Sequence, residues 1–170
     1  MNLDEYIAKI PDYPKPGVLF RDITTLLADG EAFHEAIDQM AAKTADLDFD
    51  VIIGSEARGF IFGTPLAYRM KKPFLPVRKK GKLPRETVSA EYALEYGTAS
   101  LEIHRDAIRP GQRVLIVDDL LATGGTIGAM KELVESLGGT AVAANVLIEL
   151  ADLGGRGALD GLRVDSVLVY

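Results

Sequence analysis

Two adjacent carboxylates stand directly before a glycine- and threonine-rich loop in residues 114–126, VLIVDDLLATGGT. Residues 122–125 can turn several backbone N–H groups inward, because glycine tolerates positive φ and close approach. Thr126 is predicted to open a helix, whose N-terminus adds a partial positive charge. Thr123 and Thr126 can donate hydroxyls to the same oxygens. The loop therefore predicts a binding site for a phosphate monoester.

The two acids, Asp118 and Asp119, cannot sensibly face that phosphate. They can accept hydrogen bonds from vicinal sugar hydroxyls, or lie near Mg²⁺, which prefers oxygen ligands. A ribose 5-phosphate satisfies both halves of the stretch at once, with its hydroxyls on the acids and its phosphate on the loop.

Three other interpretations of this stretch fit less well. Capping of the helix needs only one acid. The stretch does not match the nucleotide-binding motifs G-x-x-x-x-G-K-[ST] and G-x-G-x-x-G. VLIVDD also looks like the acidic pocket that opens a response-regulator receiver domain, but too few residues follow Asp119 for that fold.

A single arginine and a cluster of cations also follow apolar segments. Arg58, in ARGF, comes after the segment 51–54, where a guanidinium fork suits a pyrophosphate. RKKGK, residues 78–82, puts four cations into five residues after the segment 74–77. In isolation the run 78–82 would be an ordinary solvated patch, and Arg58 could be a surface arginine. Their positions after strands favour an anion site instead.

The elements that position these residues are apolar strands alternating with helices. This pattern predicts an α/β fold, a mostly parallel twisted sheet flanked by helices. Ligands of such sheets bind at the carboxyl ends of the strands, so the loops after Gly54, Val77 and Val117 should converge. The predicted strands are 51–54, 74–77, 113–117, 140–150 and 164–170, and the predicted helices are 3–10, 31–45, 59–70 and 126–137.

Bulk properties narrow the class of protein. A chain of 170 residues fits a single domain. No apolar run reaches the roughly 20 residues of a membrane span, and the start has no signal-peptide pattern, so no membrane partner is expected. The absence of cysteine suits a reducing cytoplasm. A net charge of −6 and a pI near 5.0 argue against nucleic acid as a partner.

The stretch VDDLLATGGT resembles the phosphoribosyl pyrophosphate motif of type I phosphoribosyltransferases. The resemblance implies the fold of that family, with a small N-terminal hood over about residues 1–30, a flexible flap over about residues 79–100, and a homodimer. It also implies Mg²⁺ held mainly by the substrate, near Asp118 and Asp119. The phosphoribosyl-binding residues that it implies are Asp118, Asp119, Ala122, Thr123, Gly124, Gly125 and Thr126.

Further segments resemble the adenine phosphoribosyltransferases within that family: YPKPGVLFRDIT, GSEARGFIFG, RKKGKLP and YALEYG. On the pyrophosphate side the resemblance implies Arg58, as a catalytic residue too, and Arg78, Lys79 and Lys82, with Lys80 the weakest candidate. It also suggests a cis peptide between Glu56 and Ala57.

The same resemblance assigns the base and the flap. Leu19, Phe20 and Arg21 are implied for adenine, with Phe20 as the stacking residue; from the residues alone, Phe20 could equally be core. Glu95 is the implied catalytic proton-transfer group, and Tyr96 beside it would help to close the flap. Glu102 is interpreted as a strand-surface residue.

The predicted reaction joins adenine and phosphoribosyl pyrophosphate to give AMP and pyrophosphate in purine salvage. Two alternatives stay open at this point. Another purine base could be the acceptor, or the chain could be a non-catalytic sensor of phosphoribosyl pyrophosphate.

Overall fold

A computed structural model describes residues 1–94 and 96–170. This part of the chain separates into two compact units, Met1–Gln39 and Met40–Tyr170. The expected single domain, with a hood over about residues 1–30 and a flap over about residues 79–100, stays a prediction.

In the described residues of the second unit, seven strands form one sheet: β3 Val51–Ser55, β4 Phe74–Lys79, β5 Thr87–Ala93, β6 Thr98–His104, β7 Arg113–Leu121, β8 Thr140–Glu149 and β9 Val164–Val169. Their order in the sheet is β5-β6-β4-β3-β7-β8-β9. Strands β4, β3, β7, β8 and β9 run parallel, and β6 and β5 continue the sheet as an antiparallel hairpin beside β4. The predicted mostly parallel sheet is confirmed.

The central strands are buried because helices cover them. Helix α4, Gly125–Ser136, contributes Met130 and Leu133 to a cluster with Ile53 and Ile116. Side chains alternate along a strand, so Ile52 points to the opposite face of the sheet. Helix α3, Arg58–Met70, packs against β3 and β7. Continuous apolar strands are the expected sequence of a sheet covered on both faces.

Strand β7 extends further than predicted. It was expected to end at Val117, with the acids beyond it, but it continues to Leu121 and includes Asp118 and Asp119. The physical reason is its neighbour β8, whose ten residues keep pairing with β7 as far as Leu121 opposite Glu149.

The first unit contains strands β1, Ala8–Pro11, and β2, Leu19–Asp22, which pair antiparallel. It also contains the short helix α1, Thr24–Leu27, and most of α2, Gly30–Lys43. The predicted helix over 3–10 is wrong beyond Tyr6. A 3₁₀ helix covers Leu3–Tyr6, with the Asn2 side chain accepting from the Asp4 N–H, and the chain then becomes β1. Pro11 disfavours helical backbone in the residue before it.

Two short 3₁₀ helices, Ala151–Leu153 and Gly155–Leu159, connect β8 to β9. No helix or strand was predicted for this connection. No helix in the described part of the chain is long and apolar enough to cross a membrane.

The spacing between β3 and β7 depends on Gly54. A Cβ built on Gly54 would lie 3.1 Å from the Val117 carbonyl oxygen and 3.2 Å from that of Gly59. Gly54→Ala should therefore lower the free energy of unfolding by about 1–3 kcal/mol, because backbone cannot move aside easily. Urea denaturation measures this loss.

Gly128→Ala is the matched control, since a Cβ at Gly128 would meet Leu159 Cδ2 at an ordinary 3.8 Å. Alanine is the better helix former by roughly 1 kcal/mol, so this variant should keep or raise stability. Equal losses in both variants would show that the close approach at Gly54 is unimportant.

Candidate active site

A cleft of about 410 Å³ lies at the carboxyl ends of β3 and β7 and beside the β5–β6 hairpin. The segments that follow Gly54 and Val117 therefore meet at this cleft, as predicted. Strand β4 runs two residues beyond the predicted end at Val77 and reaches the cleft through its last residue, Lys79. Its lining residues include Ser55, Glu56, Ala57, Arg58, Gly59, Lys79, Tyr92, Ala93, Leu94, Asp118, Asp119, Ala122, Thr123, Gly124, Gly125, Thr126 and Ile127. All seven predicted phosphoribosyl-binding residues are in this set.

Residues 122–126, called the phosphate loop below, lead directly into helix α4. Gly124 is the N-cap residue with φ of 93°, a left-handed conformation that favours glycine. No side chain caps α4 at Gly124. The first N–H groups of a helix lack intrahelical acceptors, so they can donate to an anion in the cleft.

The paired acids are buried in β7, where Asp118 and Asp119 each expose 6% of their surface. Asp118 Oδ1 accepts a hydrogen bond from the Asp119 N–H at 2.8 Å. Burial, and then the neighbouring Asp119 charge, raise the pKa of Asp118 well above its ordinary range. The two carboxylates together therefore favour a ligand that brings hydroxyl donors or positive charge.

Arg58 is the cation that faces these acids. It is the first residue of α3, and its Nε lies 3.1 Å from Asp119 Oδ2. The Arg58 side chain is 61% exposed, so it remains accessible to a ligand in the cleft. The peptide bond between Glu56 and Ala57, just before it, is cis, as the resemblance suggested.

Glu56 connects this turn to the end of β4 and so to residues 78–82, called the basic loop below. Its Oε1 accepts the Lys79 N–H at 2.8 Å and lies 3.3 Å from Arg78 Nε. The hydrogen bond from the Lys79 N–H is the main reason that the pKa of Glu56 is lowered. Among the described residues, Lys79 lines the cleft, whereas Arg78 and Lys82 do not. Arg78 Nη1 instead donates to the Lys82 carbonyl oxygen at 3.4 Å.

Glu102 has a structural role that the sequence analysis missed. It lies on β6, where Oε1 accepts the Gly81 N–H at 2.8 Å and Oε2 accepts the Thr87 hydroxyl at 3.0 Å. The interpretation of Glu102 as a strand-surface residue is therefore incomplete, because this side chain ties the basic loop to β5. The alternation along the strand gave no sign of these contacts.

Tyr92 is a cleft residue that sequence reasoning also missed. A Cβ built on Gly125 would lie 3.6 Å from the Tyr92 ring, so this ring packs beside the start of α4. Tyr96 lies in the β5–β6 turn and is 88% exposed. Glu95, the predicted proton-transfer residue, lies outside the described residues.

The predicted base-binding residues belong to the first unit. Leu19, Phe20 and Arg21 lie on β2, with Phe20 opposite Ile10 of β1. The Phe20 ring is partly exposed and meets Tyr13 edge to face, with centroids 5.2 Å apart. Phe20 is thus not a fully buried core residue, and its role toward a base stays a prediction.

A further support of the phosphate loop comes from the connection before β9. Gly155 lies against the loop, because a Cβ built on it would approach the Ala122 carbonyl oxygen to 2.5 Å. The next residue, Arg156, forms a two-pronged ion pair with Glu149 at 2.7 and 2.8 Å. The only sequence signal was the doublet Gly154-Gly155, which marks a turn but not a contact.

The donors available to a metal ion are few. No group of three or more histidine or acidic side chains that could hold a metal occurs in residues 1–94 and 96–170. Asp118 and Asp119 supply carboxylate oxygens, and Mg²⁺ commonly takes one or two carboxylates together with substrate phosphates. The site thus fits a Mg²⁺ ion carried mainly by the substrate.

Comparison with known sequences matches the phosphoribosyl transferase domain to residues 24–162. The chain therefore belongs to the phosphoribosyltransferase family, and the predicted resemblance and fold are confirmed. It is 58% identical to the adenine phosphoribosyltransferase of Alkaliphilus metalliredigens, over all of both chains.

Two solved structures are similar over nearly their whole length. The adenine phosphoribosyltransferase of Thermoanaerobacter pseudethanolicus has a TM-score of 0.95 and 55% identity, covering 99% of this chain and 98% of the other. The enzyme of Saccharomyces cerevisiae, in complex with an imino-altritol bisphosphate and adenine, has a TM-score of 0.91 and 38% identity, covering 98% and 96%.

The Glu149–Arg156 pair should make stability depend on pH in the acid range. The hydrogen bonds from Arg156, above all, lower the pKa of Glu149. Because the pKa of Glu149 is lower in the folded protein than in the unfolded chain, its ion pair contributes fully to stability at pH values above the ordinary glutamate pKa near 4.3. This contribution is lost as the pH falls through the pKa of Glu149 in the folded protein. Glu149→Gln should therefore cost about 1–3 kcal/mol at pH 7 and progressively less toward pH 3.

Urea unfolding of the parent protein and of Glu149→Gln at pH 7, 5 and 3 measures this difference. The exposed Glu132→Gln on α4 serves as control and should show no comparable convergence. A stability difference that stays constant over the whole range would contradict the prediction.

Proposed function

We propose that this protein is an adenine phosphoribosyltransferase, which converts adenine and 5-phosphoribosyl 1-pyrophosphate to AMP and pyrophosphate. The single observation that carries the proposal is the cleft in which two buried aspartates adjoin a glycine loop at a helix N-terminus. The full-length similarity to adenine phosphoribosyltransferases supports adenine as the base.

The phosphate loop binds the 5-phosphate of the sugar. Backbone N–H groups at the start of α4 and the Thr123 and Thr126 hydroxyls donate to its oxygens, and the helix dipole favours its negative charge. Tyr92 packs beside Gly125 and limits the access of water from the hairpin side.

Asp118 and Asp119 accept hydrogen bonds from the two ribose hydroxyls. Leaving-group departure places positive charge on the sugar, and buried carboxylates nearby stabilise that charge more strongly than they would in water. The acids thus serve both the binding of the sugar and its cationic transition state.

The pyrophosphate lies on the cationic side of the cleft. Arg58 and Lys79 line it there, and Arg78 and Lys82 join them when the basic loop adjusts around the substrate. These cations neutralise the charge that grows on the leaving group. Asp118 and Asp119 would help to hold a Mg²⁺ ion that arrives with the substrate, and the ion would neutralise further charge on the leaving group.

The proposed reaction is a single displacement at the anomeric carbon of the sugar. The bond from C1 to the pyrophosphate oxygen breaks and pyrophosphate leaves with the electron pair, while an adenine nitrogen forms the new bond from the opposite face. That nitrogen loses its proton to Glu95. Leu19, Phe20 and Arg21 read the base through ring stacking and main-chain hydrogen bonds.

The flap and the assembly complete the proposal. Tyr96 covers the reacting centre when the flap closes, which keeps water from a ribosyl cation. Family resemblance supports a homodimer, and the absence of cysteine supports a cytoplasmic location.

The first prediction from this proposal is adenine consumption that depends on both phosphoribosyl pyrophosphate and Mg²⁺. With labelled phosphoribosyl pyrophosphate, AMP should form from adenine, and hypoxanthine, guanine and xanthine should react at least about 100-fold more slowly, because missing hydrogen bonds leave polar groups unpaired. A preference for another base would assign a different purine. Tight binding without turnover of any base would indicate a sensor.

The second prediction concerns Glu95. Glu95→Gln should lower kcat about 100-fold or more, the usual range for removing a general acid–base group. Binding of phosphoribosyl pyrophosphate, measured by calorimetry, should change by less than about three-fold. Glu91→Gln, on the exposed side of the same hairpin, is the matched control and should retain activity. Equal loss of turnover and binding, or no loss, would remove Glu95 from the mechanism.

A further inference from the structure

The 3₁₀ helix Gly155–Leu159 touches the phosphate loop through backbone atoms. A Cβ on Gly155 would lie 2.5 Å from the Ala122 carbonyl oxygen, and one on Gly124 would lie 2.9 Å from the Gly155 carbonyl oxygen. Contact this close leaves no room for side chains between the two segments. Displacement of Gly155 would therefore displace the loop with it.

Arg156 anchors this segment to the sheet. Its Nε and Nη2 donate to the two carboxylate oxygens of Glu149 at 2.7 and 2.8 Å, and the Ser166 hydroxyl donates to Oε1 at 2.6 Å. Glu149 is buried at the end of β8, opposite Leu121, the last residue before the phosphate loop. The ion pair thus joins the segment to the strand beside the loop.

The segment also packs through its buried Leu159 and against the Leu121 side chain, which a Cβ built on Gly155 would approach to 2.7 Å. Among its described side chains, Leu159 is buried and the others are largely exposed, and Leu159 lies near Gly128 of α4. A two-pronged contact between a guanidinium and a carboxylate fixes orientation as well as distance. Leu159 and the Arg156–Glu149 pair therefore hold the two ends of a short, glycine-rich piece of chain.

We propose that Arg156 and Glu149 are positioning residues for the phosphate loop. Their ion pair keeps Gly155 against Ala122 and Gly124, and so fixes the N–H groups that receive the sugar phosphate. Neither side chain is among the residues that line the cleft. The identity of that ligand rests on the proposed function.

The test separates the two ends of the substrate. Ribose 5-phosphate reports on the phosphate loop, and pyrophosphate with Mg²⁺ reports on the cationic side, so calorimetry is run with each ligand on the parent protein and on Arg156→Lys, Arg156→Ala and Glu149→Gln. Lysine keeps the charge but loses the fork. Affinity for ribose 5-phosphate should fall about five-fold or more in each variant, and most in Arg156→Ala, since small misplacements of binding groups are costly.

Affinity for pyrophosphate should stay within about two-fold of the parent value, because its groups do not depend on Gly155. In turnover, KM for phosphoribosyl pyrophosphate should rise by a similar factor while kcat changes less than about two-fold. Arg163→Lys is the matched control, because Arg163 also forms a two-pronged pair, with both Asp46 oxygens at 2.9 Å, away from the loop. This control should leave both affinities unchanged.

Two results would overturn the inference. One is unchanged affinity for ribose 5-phosphate in Arg156→Lys. The other is equal loss for both ligands, which would indicate general destabilisation; Arg156→Lys and Glu149→Gln decide the matter if Arg156→Ala does not fold. Failure of the parent protein itself to bind ribose 5-phosphate would instead overturn the proposed function, and the inference with it.

Discussion

The burial of two adjacent carboxylates, Asp118 and Asp119, is the constraint on which the site depends. A carboxylate taken out of water needs a partner for its charge, or its pKa rises and it is more readily protonated. Two adjacent buried carboxylates increase this cost, because each charge also disfavours the other. Part of this cost is relieved by the ion pair between Arg58 and Asp119, and part by the raised pKa of Asp118. A ligand with hydroxyl donors and developing positive charge meets the rest. In the proposed reaction, this unfavourable feature of the free protein becomes a source of binding and of transition-state stabilisation.

The acids and the phosphate loop can lie side by side only because backbones approach closely around them. Gly54 allows β3 to lie beside Val117, and Gly155 allows the connection before β9 to touch the phosphate loop. At each of these glycines the nearest atom is a backbone carbonyl oxygen, so backbone packing sets how closely the segments approach. This arrangement gives an anion site with little freedom to relax.

Carboxylates also organise the cationic parts of the site. Glu56 holds the Lys79 N–H, Glu102 holds the Gly81 N–H, and Glu149 holds Arg156. An acidic protein with a net charge of −6 can therefore still present a local anion site. Part of its negative charge is used to fix the backbone around that site, while Lys79 and the N–H groups of the phosphate loop line the cleft.

The sequence by itself determined the five parallel strands of the sheet, the helices that cover them and the acidic–glycine pattern of the cleft. Uninterrupted apolar strands require burial on both faces, and the acidic–glycine pattern is local, so its chemistry can be deduced from neighbours in the chain. Tertiary structure alone decided how far β7 extends, because that depends on pairing with β8. It also decided the roles of Glu102, Tyr92 and Arg156, whose partners are remote in sequence or are backbone atoms. Periodicity encodes which face of an element is buried, but it carries no information about which distant polar group that face will meet.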